Sequence, residues 1–421
     1  MSMMAILKPE VPEHVPADLV WDHSLAAFTN ELDDPFLAAS RLHHGPDIFW
    51  ARDASQGRPA WVITRHALMQ EVLVDYEHFS SRGGAGLCEL LGVSWRLIPL
   101  DYDRPEHTLY RQILNPFFTP RAVNVLDSAV RNVCDSLIAA FEARGFCEFI
   151  SEFATPFPSY IFLALLGMPV DMAPQFLQWE QSLLRGADIT ERVTAGKAIA
   201  RYLEGFIAEQ RVTPQTELLK GIIAARISGR PLRDDEILGM LYTLYLGGLD
   251  TVYSSLGWIL RHLAGDQALQ TRLRDSPEDI PRAVDELMRA FSVATTNRMV
   301  AEDIVFHGVQ MRAGDLVHLP LYLAGRDPKT HENPHAIVLD RRPGQLTFAS
   351  GPHTCLGMHL ARREIRIVLE TFLSRFDNIR VPPGAAYVYH SGVVFGVDRL
   401  PLTWESQTRA QSAAQSAADA H

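Results

Sequence analysis

Apolar residues recur at three- and four-residue spacing along most of the chain, the mark of helices with one buried face. Residues 122–144 carry this pattern and run into Gly145, a helix stop. The longest periodic run, residues 235–264, would make a helix of ~45 Å, with Asp234 and Asp235 as caps at its start. A third long helix is predicted over residues 356–376, with Leu360, Ile365, Val368, Leu369 and Phe372 as its apolar stripe. Strand patterns are fewer: residues 60–64, a hairpin of 304–311 with 316–319 around Ala313-Gly314, and a pair formed by 392–397 and 400–404. No repeat and no Pro/Gly/Ser linker interrupts the chain. It therefore reads as a single large domain over residues 1–405, mostly α with small β-sheets. The Ala/Ser/Gln-rich tail, residues 406–421, has the composition of a disordered segment.

Composition adds a large apolar interior. With 421 residues, 47% of them hydrophobic, the chain can bury a big core and still enclose an apolar cavity. A net charge of −11 argues against nucleic acid as a partner, because phosphate neutralisation needs a basic face. The first twenty residues lack a basic region followed by a long apolar run. The longest apolar stretch, residues 160–170, is bounded by Pro158 and Pro169 and is too short to span a bilayer. The expectation is no membrane anchor and a cytoplasmic location. Cys88, Cys134, Cys147 and Cys355 form no CxxC pair and no zinc-like spacing, and a reducing cytoplasm disfavours disulfides. Three of them read as packing residues. Cys355 is set apart by its context.

That context is Phe348-Ala349-Ser350-Gly351-Pro352-His353-Thr354-Cys355-Leu356-Gly357, leading into a helix. A cysteine at a helix mouth faces unpaired backbone N–H groups and the positive helix end, both of which hold a thiolate. Gly351 and Gly357 allow a tight turn and close approach to a flat ligand, Phe348 can pack against it, and His353 can donate to a carboxylate. Upstream, Glu286 and Arg289 stand three apart and side by side on a helix. Inside the long central helix, Gly247-Gly248-Leu249-Asp250-Thr251 puts two glycines, an acid and an alcohol where all four are unfavourable if idle. A bulge there would leave room for a diatomic ligand, with Asp250 and Thr251 placed to hydrogen-bond it and relay protons. His107 and Arg111 share a helix face, and Arg298 lies nine residues past Arg289.

The spacing F-x-x-G-x-H-x-C-x-G-x-x-L-A-R resembles the haem-binding signature of the cytochrome P450 family, and nearly the full chain is similar to its bacterial camphor-hydroxylase branch. The resemblance implies a haem-thiolate fold with the long central helix over heme b. It makes Cys355 the axial metal ligand, with Phe348, Gly351 and Gly357 beside the ring. His353, Arg298, Arg111 and His107 become propionate contacts, and Asp250 and Thr251 the catalytic proton carriers. Glu286 and Arg289 match the family's structural pair, completed by Arg341. The stretch from Arg341 to Phe348 is one residue short of the usual spacing, which leaves Arg342 as the alternative. Substrate positions carry over to Trp95, Thr243, Leu246, Gly247, Ala294, Val393 and Val394. Trp95 replaces the tyrosine that meets the camphor ketone, so a small apolar terpenoid or norisoprenoid other than camphor is expected. O2 and electrons from a two-iron ferredoxin with a separate reductase are implied, since the chain carries no flavin, nicotinamide or iron–sulfur motif of its own. Arg111 and Arg342 would receive that ferredoxin, and Thr108 stands where the family has another arginine. Two alternatives remain at this level: a peroxide-using haem-thiolate enzyme, and a haem sensor or carrier. The first tends to lose the acid–alcohol pair that this chain keeps.

Overall fold

The structure is a computed structural model that describes residues 10–25, 28, 34–55, 57–341, 344–392 and 394–406. Arg342, Val393 and residues 407–421 of the expected tail lie outside the described residues, while Ser406 closes a strand. Helices dominate. Those that position the site are α1 (Glu106–Leu114), α2 (Asp127–Ala139), α3 (Ala173–Arg185), α4 (Ile189–Val212), α5 (Asp234–Gly248), α6 (Asp250–Gly265), α7 (Ile280–Ala290) and α8 (Met358–Arg375). A six-stranded sheet joins β1 (Val20–Ser24), β2 (Ile48–Ser55), β3 (Arg58–Ile63), β4 (Phe79–Ser80), β5 (Thr295–Val300) and β6 (Leu316–Pro320) in the order β1-β2-β3-β6-β5-β4. No helix among the described residues is long and apolar enough to cross a membrane.

The long elements depart from the periodicity in instructive ways. The run over 122–144 is two helices, Pro120–Asn124 and α2, followed by a 3-10 turn that Gly145 ends at φ 77°. The central run breaks at Leu249 (φ −101°, ψ −71°) into α5 and α6. The start of α5 is secured by Glu236, which accepts from the Arg233 N–H at 2.8 Å, so Asp234 and Asp235 lie inside the first turn instead of capping it. The predicted hairpin around Ala313-Gly314 is corrected. Ile304–Phe306 pairs with Val309–Met311 through His307 (φ 47°) and Gly308 (φ 84°), a turn that needs left-handed backbone. β6 pairs instead with β5 and β3. The C-terminal pair is likewise corrected. Gly396–Arg399 (β8) pairs with Val388–His390 (β7), and Pro401–Ser406 lies between Phe376–Arg380 and Phe146–Glu148. Alternation along a strand records which face is buried, not which strand lies alongside, and both errors are errors of partner.

Two apolar cores result. One gathers the sheet, α2, α6, α7 and α8; the other gathers α1, α3, α4 and α5. The break at Leu249 is where the central helix passes from the second core to the first. Leu356 and Leu360 lean on the second core, while Phe348 and Ala361 lean on the first. The cysteine motif thus sits at the seam.

Candidate active site

The loop before α8 is held by backbone bonds from Ala349 to Leu346 (2.8 Å), Cys355 to Phe348 (2.9 Å) and Thr354 to Gly351 (3.1 Å). Ala349 (φ 57°) and Gly351 (φ 71°) both adopt left-handed backbone. For Ala349 that conformation costs about 1 kcal/mol and marks a loop whose shape the surroundings impose. Gly351 is required twice over, since a Cβ there would stand 2.7 Å from the Leu73 carbonyl oxygen and 3.0 Å from Val74 Cα. Cys88, Cys134 and Cys147 are buried packing residues, as expected, whereas Cys355 is exposed. Its thiol is nevertheless surrounded by protein, and burial pushes it above the usual thiol range. A side chain is both accessible and enclosed when it lines an internal cavity. The Gly357 N–H, Arg111 and Arg362 pull the thiol the other way, so the charge-holding donors are present but burial outweighs them.

Around this cysteine stand four basic side chains that form no ion pair among the described residues, with Asp103 the carboxylate that acts on His107 and Arg298 from a distance. His107 on α1 has neither ring nitrogen hydrogen-bonded, and Nε2 of His353 is likewise without a partner. The two rings pack against each other, tilted by 42° with centroids 4.1 Å apart. Burial first, then Arg111, depresses His107 to about 4. Burial and Arg298 depress His353 to about 2. Arg298, on β5, is 3% exposed and bonds only Thr296 Oγ1 (3.2 Å) and the Asn297 carbonyl (2.7 Å). Burial lowers it to about 10. Arg111 donates to the Thr354 carbonyl at 3.0 Å, so it braces the cysteine loop from behind. Buried donors without acceptors are unfavourable. This set is complementary to a flat cofactor carrying two carboxylates. Phe348 lies beneath Arg362, whose guanidinium carbon is 4.6 Å from the ring centre.

The break in the central helix is stitched by Thr251, whose hydroxyl donates to the Gly247 carbonyl at 2.9 Å. Gly247 is exposed, and a Cβ on it would meet nothing within 4 Å. The Asp250 side chain is buried and accepts from Arg185 at the end of α3, at 2.5 Å. Glu180, one turn earlier on α3, is 2% exposed with Oε1 unpartnered. Burial, reinforced by Asp250, raises its carboxyl well above the ordinary range. Sequence reasoning missed Glu180, although it interrupts the buried stripe Phe176–Glu180–Leu183 of α3, and a charge on such a stripe is a readable signal.

Glu286 and Arg289 on α7 pair through two bonds of 2.7 and 2.8 Å, and Arg341 adds a third to Glu286 at 3.0 Å. The Val338 N–H donates to the same carboxylate at 2.9 Å. Burial opposes the charge on Glu286, but Arg289 and these other donors outweigh it and hold the carboxyl below its usual range. The arginines in turn donate to the carbonyls of Pro334, Ala336, Glu332 and Asn333, which ties the segment leading to the cysteine loop onto α7.

The expected substrate positions fall into two groups. Trp95 packs on Tyr242 of α5 with ring centres 4.9 Å apart, beside Thr243, which bonds back to the Gly239 carbonyl at 2.8 Å. Gly239, also missed, lets the segment before Pro99 dock: a Cβ on it would stand 2.1 Å from the Arg96 carbonyl oxygen. Ala294 and Val394 meet in a backbone bridge, Leu246 is half-buried, and Val393 lies outside the described residues. A surface groove of about 330 Å3 between α3 and α4, lined by Trp179, Asp188 and Glu191, shares none of these positions.

The Cytochrome P450 family model matches residues 280–385. Over 404 residues the chain is 35% identical to the "Probable cytochrome P450 127A1" of Sinorhizobium fredii, covering 94% of this chain and 97% of that one. Among solved structures it is similar to cytochrome P450 CYP101C1 (32% identity, TM-score 0.86) and to CYP101J2 (31% identity, TM-score 0.84). Each comparison covers 94% of this chain and all of the other.

Proposed function

Because this chain belongs to the cytochrome P450 family, whose members bind heme b, we propose that it is a monooxygenase that inserts one oxygen atom of O2 into a small apolar substrate. The observation that carries the reading is the pair of buried, unpartnered histidines, His107 and His353, set with Arg298 and Arg111 around an accessible, enclosed cysteine. In this reading Cys355 would ligate the iron, and His107, His353, Arg298 and Arg111 would hold the two propionates. When bound, the haem supplies the iron chemistry that activates dioxygen, and the thiolate tunes it. The chain's own part is positional. The cysteine loop is fixed by its backbone bonds and by the Glu286–Arg289–Arg341 brace. The open space beside Gly247 would admit a small ligand, and Thr251 and Asp250 would handle protons there. Trp95, Thr243, Leu246, Gly247, Ala294 and Val394 line the substrate side. This sparsely polar set suits a cyclic terpenoid or norisoprenoid that can lie flat on the indole. Electrons come from a separate two-iron ferredoxin and its reductase, received near Arg111.

The reading predicts that the reduced, carbon monoxide-treated holoprotein shows the red-shifted Soret band of a thiolate-bound haem. Cys355→His should abolish that band. A variant that kept it would remove Cys355 as the ligand.

A further inference from the structure

Arg185 stands between two acceptors. One of its terminal N–H groups donates to Asp250 Oδ1 at 2.5 Å. Its Nε edge is turned the other way, toward His390 on β7, whose Nε2 lies 3.1 Å from Arg185 Nε and 2.8 Å from the same terminal nitrogen. A guanidinium has only hydrogens to offer, so Nε2 must be the unprotonated nitrogen of His390. The proton then sits on Nδ1, 2.7 Å from Asp398 Oδ1 on β8, and that carboxylate fixes the tautomer. The packing is built for this ring. A Cβ on Gly396 would stand 2.3 Å from His390 Cε1 and 2.9 Å from Ser254 Oγ. The Tyr253 ring lies under the guanidinium at 5.6 Å, and the Asp250 carboxylate is 5% exposed.

An arginine beside a carboxylate ordinarily turns its two-pronged edge to both oxygens. Here the Nε edge is occupied by an imidazole, and Asp250 receives a single guanidinium N–H, with the Tyr253 hydroxyl also bonded to it and the buried Glu180 carboxyl nearby. We propose that His390, oriented by Asp398, is a positioning residue that keeps the Arg185–Asp250 pair one-pronged, so that the second oxygen of Asp250 stays clear of the guanidinium and can take up and pass on protons. This rests on the reading of Asp250 as a proton carrier. Without His390 the guanidinium rotates onto both oxygens, and the carboxylate becomes a weaker base and a slower donor and acceptor.

The test is made on the substrate-bound holoenzyme with its electron donor. His390→Ala should lower coupled product formation about tenfold, the scale of one charge-assisted hydrogen bond misplaced. Its solvent deuterium isotope effect should rise and the substrate dissociation constant stay unmoved. His390→Gln, whose amide oxygen accepts from the same side, should restore most of the rate. A readout independent of turnover is the Arg185 Nε–H resonance in nitrogen-15 NMR of the diamagnetic ferrous carbonyl form, which should move in His390→Ala and hold in His390→Gln. Should His390→Ala fail to fold, Asp398→Leu, which frees the imidazole without removing it, should reproduce the slowed rate. An Arg185 resonance that moves while rate and isotope effect stay put would overturn the proposal. Asp250→Asn separates the two levels. If it leaves the isotope effect unchanged, the proton-carrier reading fails; if it slows turnover while His390→Ala does not, only the role of His390 fails.

Discussion

At the scale of single residues, the chemistry is concentrated in side chains whose surroundings contradict their usual state. Thr251 spends its hydroxyl hydrogen on the Gly247 carbonyl, so its oxygen is left to act as an acceptor. Thr251→Ala should therefore leave electron consumption intact but divert it, with more peroxide and less hydroxylated product per reducing equivalent. Equal coupling in both proteins across several substrates would remove Thr251 from the relay. His107 and His353 make a second prediction. Both sit below their usual 6.5 in the folded chain, His107 at about 4 and His353 at about 2. Between those values and 6.5 the unfolded chain binds protons that the folded chain refuses, so stability is full above about 6.5 and falls as the pH drops. Denaturant midpoints of the haem-free protein should decline from pH 6.5 toward 4, and His107→Gln should flatten that decline. Sequence motifs were sufficient to find these residues because each lies in a short, chemically improbable string. Glu180, Arg185, His390 and Asp398 were not found, because their meeting joins α3 to the β7–β8 pair, with 205 positions separating Arg185 from His390, and no local spacing records it.

At the scale of elements, helices were legible and strand partners were not. A helix satisfies its own backbone, so its apolar period is written in one stretch of chain. A strand needs a neighbour, and the pattern of residues 304–319 fitted a hairpin with β6 as well as the short one it forms. Even in helices, the period does not reveal where backbone approaches backbone. Gly239 and Gly247, eight residues apart on α5, look alike in sequence and differ in kind. Gly239→Ala would press a Cβ onto the Arg96 carbonyl and should destabilise the fold by about 1–3 kcal/mol. Gly247→Ala meets open space, so it should leave stability unchanged or raise it by up to about 1 kcal/mol through helix propensity. The added methyl should weaken binding of bulky substrates. Urea midpoints and substrate-induced spectral titrations of the two variants check both halves.

At the scale of the whole molecule, the site is a seam. Two cores meet along the central helix and the cysteine loop, and donors from α1, β5 and the loop converge there. A cofactor bound by all three would join the halves, give His107 and His353 acceptors, and offset the like charges of Arg111 and Arg298. Haem should thus raise the unfolding temperature in proportion to its affinity and sharpen the transition. Scanning calorimetry of haem-free and haem-loaded protein should show a broad or split transition becoming one. Equal profiles would mean that the cores are already coupled without it.

Two glycines in this structure would leave different marks on a lineage of related chains. Gly351 is pressed against the carbonyl of Leu73 and the Cα of Val74, and no substitution at those neighbours changes their backbone. No companion mutation rescues a larger residue at 351, so the position should stay glycine through any amount of drift. Gly396 is pressed against the removable ring of His390. The pair should change together, a side chain appearing at 396 only in descendants that have first lost the imidazole at 390. The order of those two events is fixed by a contact of 2.3 Å.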